Sequence, residues 1–122
     1  MRIFKNAWFK RFASRERISD ATLAKVIARI EKGAVDADLG GNVIKQRMAR
    51  PGQGKSGGYR TIIVFRQGDK AFFVYGFAKK ELGNINKDEL KTFKQAAKEL
   101  LALSDEQIEK LIEIEGLTEI ES

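Results

Sequence analysis

"YRTIIVFRQGDKAFFVYGFA", residues 59–78, decides the fold. Two runs of β-branched and aromatic residues, "YRTIIVFRQ" and "KAFFVYGFA", meet at "QGD", a short turn signal built around a glycine. The pattern predicts two antiparallel strands joined by a tight hairpin. Alternation along the first strand puts Arg60 and Arg66 on one face with Ile62 and Val64. Upstream, "PGQGKSGG" (51–58) reads as a loop. Before it, "ADLGGNVIKQRMAR" (37–50) turns through Gly40–Gly41 into a strand near 43–48. Period two there sets Val43, Lys45 and Arg47 against Ile44, Gln46 and Met48. The three strands form an antiparallel meander.

Helical patterns flank the meander. "MRIFKN" (1–6) reads as a short first strand and "NAWFKRFASRE" (6–16) as a helix with Trp8, Phe9 and Phe12 on one side. "SDATLAKVIARIEKG" (19–33) is a clearer helix: Ser19 or Asp20 caps it, Leu23, Val26, Ile27 and Ile30 recur at helical spacing, and Gly33 ends it. Past the meander, "NKDELKTFKQAAKELLAL" (86–103) has an apolar stripe of Leu90, Phe93, Ala97 and Leu100. "SDEQIEKLIEIEG" (104–116) opens on a capping-box pattern, Ser104 to Gln107. "LTEIES" (117–122) reads as an edge strand or a tail. The order predicts an α+β fold, with N-terminal helices packed on a small antiparallel sheet and C-terminal helices after it. Residues 1–122 are expected to form one domain, with 104–122 a C-terminal extension that folds on the protein's own basic face or joins a partner surface.

The chain has neither histidine nor cysteine. That excludes disulfides, thiolate metal sites, the usual general base and the commonest zinc ligand. Asp36 and Asp38 lack a third ligand nearby and read as loop and cap polarity, so no metal and no cofactor is expected. No apolar run is long enough to span a bilayer, and the N-terminus lacks the apolar core of a signal peptide; the expected compartment is the cytoplasm. "GKS" at 54–56 superficially suggests a phosphate-binding P-loop. The P-loop pattern needs a glycine where this chain has Ala49, and a helix where a strand follows, so it is rejected.

Charge is segregated. Residues 1–80 carry 18 Lys and Arg against 6 Asp and Glu, whereas 81–122 carry 5 against 11. Segment 41–80 holds nine cations and one anion, Asp69. So many cations in one sheet segment repel one another, which favours a polyanion-binding surface over a merely solvated one. Lys45/Arg47, Lys55, Arg60 and Lys79/Lys80 fall on strand ends and loops. In a meander, the start of the 59–66 strand lies beside the end of the 70–78 strand, so these separate pieces of chain converge on an anion site for phosphate. One reaction needs only such groups: RNA cleavage by the substrate's own 2′-hydroxyl. The protein removes that proton, stabilises charge on phosphorus and lets the 5′-oxygen leave protonated. Lysine serves as a base where neighbouring cations favour its neutral form, and arginine suits charge stabilisation. Tyr59, at the loop edge, is a candidate for stacking on bases; Tyr75, mid-strand among apolar neighbours, reads as core.

The segment "VIKQRMARPGQGKSGGYRTIIVF", followed by "AFFVYGFAKKELGNIN", resembles the central sheet of RelE/HigB-type toxins of bacterial toxin–antitoxin pairs, within the RelE/ParE superfamily. The likeness is detailed over about 40–90, and the "GKSGGYR" and "YGFAKKE" pair points to the HigB-like branch. The resemblance implies a metal-independent mRNA interferase that cuts translated mRNA in the ribosomal A site and is neutralised by a cognate antitoxin, often one carrying a helix-turn-helix. The family's catalytic positions fall on Lys45, Arg47, Arg60 and Lys80, with Lys55, Tyr59, Arg66 and Lys79 as further RNA contacts. Lys45 is then the better candidate base and Arg60 the group that stabilises charge on phosphorus. Some members carry arginine at the place of Lys80 and lysine at that of Arg47. Some have a functional tyrosine where this chain reads "LGNIN", with Asn86 at the approximate place. Two other readings remain: a ParE-like toxin that inhibits gyrase without cutting RNA, and a basic nucleic-acid-binding module without catalysis.

Overall fold

The hairpin read from residues 59–78 lies at the heart of the sheet. The structure, a computed structural model, describes residues 1–49, 58–79 and 84–121. In it β4 (Tyr59–Arg66) and β5 (Lys70–Ala78) pair antiparallel around a turn with Gly68 at φ +73°. β3 (Val43–Met48) pairs antiparallel with β4, from Val43 opposite Val64 to Met48 opposite Tyr59. The segment before the Gly40–Gly41 turn is itself a strand, β2 (Ala37–Gly40), on the outer side of β3.

The sheet does not stop at the meander. β1 (Arg2–Asn6) runs parallel to β5, and β6 (Leu117–Ile120) runs antiparallel to β1. The expected small antiparallel sheet is therefore corrected to a six-stranded mixed sheet of order β2-β3-β4-β5-β1-β6. The reason lies in β5. Its "AFFV" run is buried on both faces, as in a central strand, and its outer edge needs hydrogen-bond partners that a meander alone would not supply.

Two helical layers cover the two faces. α1 (Ala7–Arg15) and α2 (Asp20–Glu31) bring Phe9, Phe12, Leu23 and Ile27 onto Ile44, Ile63 and Phe73. α3 (Lys87–Leu101) and α4 (Asp105–Glu113) cover Val43, Ile62, Val64 and Phe72. Each helix starts at a side-chain cap: Asn6, Ser19, Asn86 and Ser104, the last two in full capping boxes. Asn86, at the approximate place of the tyrosine some relatives carry, is thus the N-cap of α3.

A bulge in β5 sets which residues reach the α3 face. Ile62 lies opposite Tyr75 and Ile63 opposite Phe73, so Val74 is the extra residue, and Val74 and Tyr75 both join the α3 layer. The Asn6 amide donates to the Val74 carbonyl at 3.1 Å. The two ends of the chain are joined by Arg2, which donates to both Glu119 oxygens at 2.9 Å and to Glu109 at 3.1 Å. Its guanidinium holds the Glu119 carboxyl below the usual carboxylate range. Among the described residues no helix is long and apolar enough to cross a membrane.

Candidate functional site

Alternation in β3 and β4 brings three cations to the α3 face. Lys45 lies opposite Ile62, and Arg47 lies directly opposite Arg60. Directly opposed residues in such a ladder have Cα atoms about 4.5–5.5 Å apart. Like charges so placed repel. α3 begins at Lys87 and packs over Ile62 and Val64, leaving the Arg47 side chain 57% exposed and Lys45 and Arg60 half-buried. Among the described residues the Arg60 guanidinium donates to one group, the Tyr59 backbone oxygen, at 3.3 Å. Lys79 is exposed one residue past β5, and its N–H donates to the Gly58 carbonyl at 3.3 Å. The end of β5 thus lies beside the start of β4, as the meander predicts. A Cβ on Gly58 would stand 2.3 Å from the Met48 carbonyl oxygen, so glycine is required where β4 begins beside the end of β3.

Among the described residues no carboxylate pairs with Lys45, Arg60 or Lys79. Arg47 meets one: its backbone N–H donates to Asp36 at 2.7 Å, and its guanidinium stands 3.5 Å from the other oxygen. This long ion pair is solvent-exposed and offsets little of the charge. Asp36 is itself held by Gln46, a residue 1% exposed on the opposite face of β3. The Gln46 side chain accepts from the Asp36 N–H at 2.9 Å and donates to the Ala34 carbonyl at 2.9 Å. Lys45 donates to Asn84 at 3.2 Å, just ahead of the Asn86 cap. Sequence reasoning missed Gln46 and Asn84 and gave Asp36 only a loop role. A polar residue in the otherwise apolar row Ile44–Gln46–Met48 was the available signal, because a buried amide must find partners. Asn84 carries no comparable signal.

Of the expected RNA contacts, Tyr59 is buried and Arg66 lies apart from the other cations. Tyr59 is 1% exposed and lies on the α1 face, opposite to Arg60. Its hydroxyl donates to Glu16 at 2.7 Å and its ring meets Phe12 edge-on, so it offers no surface to a base. Arg66 shares the face of Arg60 but lies six residues away along β4, roughly 20 Å. There it binds Asp69 and the Leu101 carbonyl, and with Lys70 it holds the Asp69 carboxyl below the usual range. Tyr75 is packed against Trp8, Phe77 and Phe93, as a core residue. Lys55 and Lys80 lie outside the described residues.

Among the described residues, Lys45 and Arg47 of β3, Arg60 of β4 and Lys79 just past β5 lie at one end of the sheet with a single carboxylate, Asp36, paired to them. A family model described as the RelE toxin of the RelE/RelB toxin–antitoxin system matches residues 1–120. The chain belongs to the RelE toxin family. It is therefore the toxin of a toxin–antitoxin pair, and its partner is an antitoxin. The family match reaches through α4 and β6 as well as the central sheet. No significant match is found among curated proteins or among solved structures.

Proposed function

We propose that this RelE-family toxin is a ribosome-dependent endoribonuclease that cuts translated mRNA with Lys and Arg side chains and no metal. The observation that carries the reading is the Arg47–Arg60 pair, two cations opposed across β3 and β4 on a face left open by α3. A fold that holds like charges together forgoes stability unless an anion joins them. A phosphodiester seated there puts its non-bridging oxygens on the two guanidinium groups, whose planar forks match phosphate. The ribose 2′-oxygen attacks phosphorus as its proton passes to Lys45; the bond to the 5′-oxygen breaks, and that oxygen takes a proton from water as it leaves. The products are a 2′,3′-cyclic phosphate and a 5′-hydroxyl end. Arg47 and Arg60 stabilise the added negative charge, Asn84 orients the Lys45 amine, and Lys79, Lys80 and Lys55 extend the grip on the strand. The additional α4 and β6 favour the HigB-like branch. A cytoplasmic site of action follows from a ribosomal substrate.

Primer extension on translated mRNA with purified protein tests the reading, run beside a gyrase supercoiling assay. Codon-spaced cuts are expected. Arg60→Ala is expected to lower their rate by about 10²–10³, while its thermal stability changes by less than about 0.5 kcal/mol. Intact mRNA with inhibited supercoiling would instead identify a gyrase inhibitor. RNA retention with neither effect would leave a binding module.

A further inference from the structure

α3 carries a second basic feature that the cleavage site does not use. Its lysines fall at 87, 91, 94 and 98, so all four lie within an arc of about 60° on the helix. The acidic residues of α3, Asp88, Glu89 and Glu99, lie outside that arc. Lys87, Lys91 and Lys98 are exposed. Lys94 is half-buried, its stem against the β2–β3 turn, where a Cβ on Gly41 would meet its Cγ at 3.1 Å. Among the described residues none of the four pairs with a carboxylate. Lysines three and four residues apart on a helix destabilise it, so an ordinary solvated face would intersperse acids along this line. The rail runs for roughly 16 Å along the axis. It ends at an open cleft of about 490 Å³ where Arg66, Lys94 and Lys98 come together with Leu101. Arg66, displaced from the cleavage site, thus belongs to this second surface.

We propose that Lys87, Lys91, Lys94, Lys98 and Arg66 form a docking rail for the phosphate backbone of double-helical RNA. A straight row of cations on a rigid helix suits phosphates whose spacing is itself fixed. Surfaces for single strands interleave cations with aromatic platforms, and the lysine arc contains no aromatic residue. Duplex RNA is held by its backbone and shape, which is what such a row can grip. The duplex is assigned to ribosomal RNA, an assignment that rests on the cleavage reading; the rail itself does not.

The test uses the full-length protein and a labelled RNA duplex of about 16 base pairs, with a single strand of equal length, titrated from about 50 to 200 mM salt. The duplex is expected to bind more tightly than the single strand. Lys87→Glu/Lys91→Glu/Lys98→Glu is expected to weaken duplex binding by roughly ten-fold or more and to reduce the log–log salt slope by about 2–3. The same triple variant is expected to lose cutting on ribosomes. Lys25→Ala, an exposed lysine on α2 across the sheet, is expected to leave duplex affinity within about two-fold. Circular dichroism checks folding, and the matching Lys→Gln triple replaces the reversal if that variant does not fold. Unchanged duplex affinity and slope in a folded triple variant, or a preference for the single strand, overturns the rail. Cutting on ribosomes that survives in the triple variant overturns the ribosomal assignment. Rail-dependent duplex binding by a wild-type protein that cuts no mRNA overturns the cleavage reading and supports the rail.

Discussion

Tyr59 and Arg60 are neighbours in the chain and lie on opposite faces of the sheet. The one-residue step that exposes Arg60 beside Arg47 buries Tyr59 under α1. "Gly-Tyr-Arg" therefore places one residue in the core and the next on the cationic face, and burial tells them apart where adjacency does not. Tyr59→Phe removes the hydroxyl that donates to Glu16. It is expected to cost about 1–2 kcal/mol in urea denaturation and to leave mRNA cutting per folded molecule unchanged. A large loss of cutting at unchanged stability would return Tyr59 to the RNA surface. Lys45, Arg47 and Arg60 were legible as a set because alternation and charge point to the same face. Asn84 was not, because its contact with Lys45 spans 39 positions of sequence.

At the scale of the element, strand and helix ends were largely legible because they depend on local signals: period, turn glycines and capping residues. The β5 bulge is a different matter. "FFVYGF" is apolar throughout, so no alternation marks where the extra residue sits. Only pairing with β4 reveals Val74 and Tyr75 together on the α3 face. Gly76 follows from the packing of α1 beside it: a Cβ there would lie 2.7 Å from a ring carbon of Phe12. Gly76→Ala is expected to destabilise the fold by about 1–3 kcal/mol, as a small-to-large change against a buried ring. A chemical-denaturation midpoint equal to wild type would mean that Phe12 has room to move aside.

Across the whole molecule, Arg2 joins the first strand to the last. The free Glu119 carboxyl would titrate near about 4.3, and the Arg2 hydrogen bonds lower its folded value. The folded state therefore binds fewer protons than the unfolded chain in this window. The Glu119 contribution is fully present above about pH 4.3 and is lost as pH falls through the folded value. Asp69, lowered chiefly by Arg66, acts in the same direction. Glu119→Gln is expected to lower stability by about 1 kcal/mol near neutral pH, with the difference from wild type vanishing toward pH ~2. Urea melts across that range read the two curves, and a difference that stays constant with pH would exclude the carboxylate as its source.

By itself, the amino-acid order determined the four helices, the three strands of the meander, the α+β class and the segregation of charge. It also determined that no histidine or cysteine takes part in any chemistry. These depend on composition and on spacings of a few residues. Tertiary structure alone decided that β1 lies beside β5, that β6 closes the sheet edge and that Arg66 joins the α3 lysines instead of Arg60. The physical reason is that a strand's pattern specifies which way its side chains point, whereas its neighbours are chosen by the burial and hydrogen bonding of the whole sheet. The meeting of Arg47 with Arg60 depends on both.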